Sequence, residues 1–152
     1  MLKEALESVK GQFDFVLIDC APNLGILSLN SLVAAHYFMV PMQAENFAFI
    51  GLDKILQVAD KVKKRLNPTL ELAGILMVRQ AQKTRFSQAV LSNIEQNEQF
   101  KDKLFASFIR QDIALMESPA FGQTIFDYAP TSRGAEDYKK LAKEILDKYG
   151  KN

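Results

Sequence analysis

The chain has 152 residues, 48% hydrophobic and 24% charged, which is enough for one domain over residues 1–152 with a sizeable core. Its formal net charge of +1 excludes the strong basic field of a dedicated nucleic-acid binder and the acidic excess of a disordered chain. The single cysteine, Cys20, excludes an internal disulfide framework, and no apolar run reaches the roughly 20 residues that span a bilayer. We therefore expect a cytoplasmic, single-domain protein with no membrane partner.

The first part of the chain alternates between helical and strand patterns. Residues 1–9 have the apolar spacing of a short amphipathic helix, which Gly11 ends. Residues 13–18 form a continuous apolar run, which predicts a strand buried on both faces of a parallel sheet. Residues 24–37 predict a second helix, and residues 38–42 predict a second strand.

The alternation continues beyond the second strand. A long helix runs from Leu52 to Leu66, and Asn67 ends it because a residue that precedes proline disfavours helical geometry. Three further elements follow: a strand over residues 70–78, a helix over residues 86–97 and a strand over residues 103–109.

The last helix has the clearest pattern in the sequence. Its predicted apolar stripe consists of Ala135, Tyr138, Leu141, Ala142, Ile145, Leu146 and Tyr149. The opposite face mixes acids and lysines, which indicates a helix that packs on a sheet rather than one that lies on lipid.

Strands that alternate with helices predict an α/β fold with three layers, a mostly parallel sheet covered by helices on both faces. In such sheets, ligands bind outside the carboxyl ends of the strands. That rule places Asp19, residues 43–46, residues 79–85 and residues 110–112 along one edge.

Asp19 is the first candidate for a functional residue. It follows the apolar run of residues 13–18, a position from which a carboxylate can bind Mg²⁺ beside a nucleotide's phosphates, directly or through water. An aspartate that caps a helix or a turn is common after a strand, and the pattern by itself leaves both interpretations open.

Four stretches of sequence, in order, carry a more specific signal. They read "FDFVLIDCAPNLGILSLNSLVAA", "VPMQAENFAFIGLDKIL", "KKRLNPTLELAGIL" and "ESPAFGQTIFDYAPTSRGAEDYKKLAKEIL". They resemble successive signatures of the ParA/Soj family, the deviant-Walker P-loop ATPases that partition plasmids and chromosomes. The resemblance extends from about Phe13 to Leu146, nearly the whole chain.

The resemblance implies a set of site residues and ligands. Asp19 matches the Walker B aspartate, the catalytic residue that helps hold Mg²⁺, and Pro22 and Asn23 match the turn after it. The other implied positions are Gln43 and Glu45 in a nucleotide-side loop, Ile109, Arg110, Gln111 and Asp112 against the adenine base, and Glu117 and Pro119 in an "E-x-P" loop. The implied cofactors are ATP and Mg²⁺. The implied partners are a ParB-like protein, DNA and a second copy of the chain, at the nucleoid.

The sequence also departs from the family pattern. None of its seven glycines begins a G-x-x-x-x-G-K-[ST] loop, the element that cradles the phosphates. We therefore expect the C-terminal portion of a family domain, which lacks the N-terminal part of the fold. By itself this portion is expected to bind neither ATP nor Mg²⁺ tightly and not to hydrolyse ATP. The loss of a strand is further expected to leave an apolar gap that the chain closes by rearrangement, by strand exchange with a second copy, or at the expense of solubility.

DNA binding is the weakest part of the resemblance. Arg79, Lys83, Arg85 and Arg133 could contact phosphates, which requires only positive charge, but solvated loop charges explain them equally well. The leading functional hypothesis is a ParA-like partition ATPase. The alternative is a truncated, non-enzymatic paralogue that acts as a protein interaction module.

Overall fold

The computed structural model describes residues 1–21, 23–45, 48–79 and 102–150, together with residues 89, 92, 94, 96–98 and 100. Two compact units share the chain. The first contains Met1–Met39 and Phe49–Ala73, and the second contains Val40–Ala48 and Gly74–Gly150. Each of the two paired strands contributes its first half to the first unit and its second half to the second unit.

The first unit is built on three helices: α1 (Leu2–Glu7), α2 (Ile26–Ala34) and α3 (Ala48–Arg65). Gly11 follows α1 with a φ of 81°, a left-handed conformation that favours glycine. The helix α3 ends at Arg65, shortly before Asn67-Pro68, as the sequence predicts. The buried residues Ala59, Val62 and Leu70 form the core of this unit, and the residues packed on them are Leu29, Leu32, Val33, Ala35, Phe38 and Val58.

The strands β1 (Tyr37–Met42) and β2 (Glu71–Met77) pair in parallel. The Glu71 amide donates to the His36 carbonyl, and the Val78 amide donates to the Met42 carbonyl, so both strands run in the same direction. In β1 only Val40 and Met42 are buried, whereas residues 74–77 of β2 are buried without interruption. The continuous burial predicted for a parallel strand is therefore found in β2 and not in β1.

The predicted strand over residues 13–18 is wrong. None of these residues is assigned to a strand, and Phe13, Val16 and Leu17 are 63%, 51% and 89% exposed. An apolar run becomes a strand only when a neighbour takes up its backbone hydrogen bonds, and no described residue pairs with this segment. The periodicity of a sequence reports the tendency of a segment to pair, not the presence of its partner.

The second unit surrounds the end of β2. Its buried residues include Ile75, Met77, Ile94, Phe100 and Phe105. Between residues 102 and 150 its helices are α4 (Ile113–Glu117), a 3₁₀ turn (Ser118–Phe121), α5 (Ile125–Tyr128) and α6 (Arg133–Tyr149). Side chains of Asp112, Thr124 and Ser132 accept backbone hydrogen bonds at the N-terminal ends of α4, α5 and α6.

The fourth strand, predicted over residues 103–109, is reduced to one parallel bridge between Leu104 and Ile75. The ladder is interrupted because the amides of Ala106 and Ser107 donate to the Glu144 carboxylate of α6 instead of to β2. The predicted helix over residues 86–97 lies largely outside the described residues. Ile94, which is described, is fully buried.

The bounds of α6 agree with the prediction, but its buried face does not. Ala135 and Leu141 are buried as expected, whereas Tyr138 and Leu146 are 40% and 55% exposed. Asp137, predicted on the solvated face, is only 4% exposed. Among the described residues, no helix is both long enough and apolar enough to cross a membrane.

Candidate functional site

The candidate site is the carboxyl edge of the sheet in the second unit. The hydrogen bond from the Val78 amide to the Met42 carbonyl, 2.9 Å, sets the ends of β1 and β2 side by side. The hydrogen bond from the Ile109 amide to the Met77 carbonyl, also 2.9 Å, brings a third segment to the same edge. Parallel strands therefore deliver three chain segments to one edge, where α/β folds bind ligands.

Residues 109–112, here called the base loop, are the most completely described part of this edge. Ile109 is buried and 3% exposed, and Gln111 is exposed. The Asp112 carboxylate accepts hydrogen bonds from the amides of Ala114 (2.9 Å) and Gly134 (2.7 Å), so it caps α4 and ties it to the start of α6. The base loop is thus held at its end by a carboxylate that already has two partners.

The Arg110 side chain is held by α6. Its Nε donates to both carboxylate oxygens of Asp137, at 3.1 and 2.9 Å, and its Nη2 donates to Asp137 Oδ1 and Glu136 Oε2. The Arg110 amide also donates to Asp137 Oδ2 at 2.9 Å. The hydrogen bonds to Asp137, and to a smaller extent the hydrogen bond to Glu136, raise the pKa of Arg110 above its usual value. The predicted contact of Arg110 with a base stays a prediction, and the described contacts of its guanidinium are with α6.

Gln43, Glu45 and Arg79 lie where β1 and β2 end. Gln43 is half-buried, whereas Glu45 and Arg79 are exposed. Arg79 has a φ of 50°, a left-handed backbone conformation that a residue with a side chain adopts only at some energetic cost. Such conformations are concentrated at functional sites, which makes the end of β2 a credible part of the candidate site.

The remaining predicted residues are not brought to this edge by any described contact. Asp19 is exposed, lies in the first unit and follows an irregular segment instead of a paired strand. Asn23, the residue after Pro22, accepts a hydrogen bond from the Gly25 amide. Arg133 is exposed at the start of α6. Pro22, Lys83 and Arg85 lie outside the described residues, and the roles of all these residues stay predictions.

The predicted "E-x-P" loop forms a compact turn in the second unit. The Tyr128 hydroxyl donates to Glu117 Oε2 at 2.9 Å, and its ring stacks on Phe121 with 5.4 Å between centroids. The hydrogen bond to Glu117 raises the pKa of Tyr128. Pro119 is the second residue of the 3₁₀ turn Ser118–Phe121, which directly follows Glu117.

Sequence reasoning missed Asp137 and Glu144 as structural anchors of the site. Glu144 holds the segment that leads into the base loop, and Asp137 holds Arg110 within that loop. The Glu144 side chain is only 14% exposed. The available signal was spacing: Asp137 and Glu144 are seven residues apart, two helical turns, and Leu141 lies between them on the same buried face.

Glu144 is expected to make stability depend on pH. Partial burial raises the pKa of Glu144, but hydrogen bonds from Lys148 and Ser107 outweigh it and lower the pKa to about 2. Because this lies below the unfolded value near 4.5, the stabilisation is complete above that pH and is lost as pH falls towards 2. Glu144→Gln should lower the free energy of unfolding by about 2 kcal/mol at pH 7.

Urea denaturation between pH 7 and pH 3.5 measures this effect. About half of the difference between wild type and Glu144→Gln should be gone at pH 3.5. Asp147→Asn, which removes a charge from an exposed position of α6, should show little difference at any pH. If the difference in free energy of unfolding between wild type and Glu144→Gln stays constant from pH 7 to pH 3.5, the lowered pKa of Glu144 is contradicted.

A groove of about 590 Å³ runs beside α6. Its lining includes Ser107, Phe108, Arg110 and Lys143. The groove is open and its walls carry charges of both signs, unlike the enclosed, mostly apolar pockets that hold small ligands. We therefore place the candidate site at the carboxyl edge and not in this groove.

Comparison with known proteins relates the chain to nucleotide-binding proteins. A family model described as an AAA domain matches residues 1–72. The chain is 40% identical over 149 residues to the chromosome-partitioning ATPase Soj of Treponema pallidum, which is 98% of this chain and 58% of that protein. It is 34% identical over 145 residues to the chromosome partitioning protein ParA of Myxococcus xanthus, 95% of this chain and 50% of that protein.

A solved structure has the same fold. Cobyrinic acid a,c-diamide synthase from Mycobacterium smegmatis, with a bound ATP analogue and magnesium, matches 99% of this chain and 54% of its own, with a TM-score of 0.76 and 32% identity. The chain thus spans about half the length of the proteins it matches. The fold is that of a P-loop NTPase, an α/β fold with a parallel sheet and flanking helices. These similarities cover nearly all of its length and support a relationship of the chain to the ParA/Soj family of P-loop ATPases.

Proposed function

We propose that this chain carries the base side and the Walker B carboxylate of a ParA-type ATPase that acts in chromosome or plasmid partitioning. The observation that carries this proposal is its similarity, over nearly the whole chain, to proteins named as chromosome-partitioning ATPases. In this function, binding of Mg-ATP drives dimerisation and non-specific DNA binding, and a ParB-like partner stimulates hydrolysis.

The residue chemistry fits a nucleotide and magnesium. The Asp19 carboxylate is exposed and makes no hydrogen bond to any described residue, so its oxygens are open to Mg²⁺ or to a magnesium-bound water. When bound, Mg²⁺ would neutralise charge on the phosphates. Ile109 is buried beneath the base loop, whose exposed Gln111 carries an amide that could hydrogen-bond a base, with Gln43 and Glu45 at the same edge.

Tight nucleotide binding is not expected of these 152 residues, because their sequence contains no G-x-x-x-x-G-K-[ST] loop to hold the phosphates. A titration with a fluorescent ATP analogue should show no micromolar, magnesium-dependent binding. Adenosine at millimolar concentration should still shift the amide resonances of residues 109–112. Micromolar magnesium-dependent binding would contradict the first expectation, and absence of any adenosine effect would contradict the assignment of the base loop.

DNA contact in this proposal is made by exposed cations. Arg79 and Arg133 are both exposed, and either guanidinium could reach a phosphate. Lys83 and Arg85 complete the proposed set. The near-neutral net charge means that such binding would depend on these local charges and weaken as salt increases.

A second candidate function, a protein interaction module, is favoured by the exposed apolar residues of the first unit. Leu17, Ile26 and Leu27 are 89%, 70% and 73% exposed. A contiguous patch of exposed apolar side chains commonly marks a protein interaction site. In this alternative the apolar surface contacts a longer ParA-type ATPase and needs no nucleotide of its own.

Leu17→Asp tests the interaction module. Wild type should bind a longer relative such as Treponema pallidum Soj, or associate with itself, in light scattering, and Leu17→Asp should abolish the complex. Leu66→Asp is the matched control, because Leu66 is 53% exposed at the end of α3 in the same unit. If the wild-type chain stays monomeric and does not bind the relative, the function as an interaction module is excluded.

A further inference from the structure

The segment that leads into the base loop is out of register with β2. The Ile75 amide donates to the Lys103 carbonyl and the Phe105 amide donates to the Ile75 carbonyl, as in a regular parallel ladder. The next such bond should run from residue 107 to Met77, two residues further on each strand. Instead, the Ile109 amide donates to the Met77 carbonyl, so four residues on one side stand opposite two on the other.

Glu144 takes the hydrogen-bond donor that regular pairing would use. The Ser107 amide donates to Glu144 Oε2 at 2.8 Å, and the Ala106 amide donates to Glu144 Oε1 at 3.0 Å. Two extra residues are thereby accommodated as a bulge, so the following residues lie about 6.6 Å short of the positions that they would reach along β2 in a regular ladder. Because the shift is even, side chains keep their faces: Ile109 occupies the buried position that Ser107 would otherwise take.

Asp137 fixes the residue immediately after the shift. It is 4% exposed and accepts hydrogen bonds from both the backbone and the guanidinium of Arg110. Asp137 and Glu144 thus hold the amides on either side of Ile109 from a single face of α6. Burying two carboxylates requires their desolvation, which an apolar helix face would avoid, so packing alone does not account for them.

We propose that Asp137 and Glu144 are positioning residues that set the register of the base loop and thereby its selectivity for a nucleotide base. Bulges are frequent next to active sites, where they redirect the residues that follow. The part of this inference that concerns base selectivity rests on the proposed nucleotide function, whereas the part that concerns register rests on the hydrogen bonds alone.

Two nearly isosteric variants test the inference, with one control. Glu144→Gln keeps the shape and one acceptor oxygen but turns a donor towards the backbone amides, and Asp137→Asn does the same for Arg110. Asp147→Asn removes a charge from an exposed position of the same helix that makes no hydrogen bond to any described residue. Amide hydrogen exchange should accelerate roughly tenfold at residues 106 and 107 in Glu144→Gln, at residue 110 in Asp137→Asn, and at neither in the control.

Base selectivity supplies a readout that simple destabilisation would not move. The ratio of adenosine to guanosine affinity, measured by resonance shifts of residues 109–112, should fall towards one in both variants and stay unchanged in the control. An equal loss of affinity for both nucleosides would overturn the positioning role in favour of a purely structural one. If Asp137→Asn does not fold, the test rests on Glu144→Gln alone, because that variant leaves the hydrogen bonds between Arg110 and Asp137 intact.

The two parts of the inference fail separately. Unchanged exchange at residues 106 and 107 in Glu144→Gln would overturn the register role, whatever the nucleosides do. Absence of adenosine binding by wild type would overturn the nucleotide assignment, and the claim of base selectivity with it.

Discussion

Gly74→Ala is expected to lower the free energy of unfolding by about 2–3 kcal/mol, because β2 has no room for a methyl group at this position. A Cβ atom on Gly74 would lie 2.7 Å from the Lys103 carbonyl oxygen and 2.8 Å from the edge of the Phe105 ring. The carbonyl cannot move away without straining the bridge between Ile75 and Leu104. The Phe105 ring is itself buried, with the Lys148 ammonium 4.8 Å from its centroid.

Gly51→Ala is the matched control, and its effect should have the opposite sign. Gly51 lies in α3, and a Cβ atom there would meet nothing within 4 Å. Alanine should therefore stabilise the protein by about 0.5 kcal/mol through its higher helix propensity and lower unfolded-state entropy. Urea denaturation of both variants gives the comparison, and equal effects at the two glycines would rule out close packing at Gly74 as the cause.

Asn67→Asp is expected to destabilise the chain by about 3 kcal/mol or more at pH 7. The buried Asn67 Nδ2 donates to the carbonyls of Leu32 (3.0 Å) and Ala35 (2.7 Å), which are the orphan acceptors at the end of α2. An aspartate has the same shape but no donor, so a carboxylate would face two carbonyl oxygens away from water. The repulsion should raise the pKa of the new carboxyl, because the protonated form can donate one hydrogen bond.

The pH dependence separates this mechanism from a general loss of packing. A variant carboxyl with a raised folded-state pKa is least destabilising at low pH, where it is protonated, and most destabilising above that pKa. The difference between wild type and Asn67→Asp should therefore narrow from pH 7 to pH 4 in thermal melts. Asn30→Asp, at an exposed hydrogen bond within α2, should cost far less. A penalty at Asn67 that does not change with pH would contradict the lost-donor mechanism.

The helices and β2 could be predicted because their signals are local. The α3 pattern and its stop before Pro68 depend on residues that are adjacent in sequence, and the structure confirms both. Residues 13–18 carried an equally strong local signal and are not a strand. A helix satisfies its hydrogen bonds within itself, whereas a strand requires a second segment that periodicity cannot supply.

The same difference between local signals and contacts of distant segments applies to the candidate site. Of the residues that the rule for ligand sites in parallel sheets placed at one edge, 43, 79 and 110 come together, as the bonds at Val78 and Ile109 show, whereas no described contact brings Asp19 there. The rule did not predict that Arg110 would be held by Asp137, or that Glu144 would interrupt the fourth strand. Both carboxylates come from a helix that follows the edge by about 25 residues, and in sequence only their spacing around Leu141 distinguishes them from the solvated acids of that helix.

By itself, the sequence determined the resemblance to the family, the α/β order of elements, the ends of the main helices and the edge to which three of the predicted loops come. These follow from periodicity, capping and ordered motifs, all of which are properties of neighbouring residues. Only the tertiary structure decided which apolar run is buried, which acids of α6 are anchors, and where the fourth strand leaves its ladder. Those outcomes depend on which distant group captures a backbone amide, and a carboxylate two turns along a helix can compete successfully with a neighbouring strand.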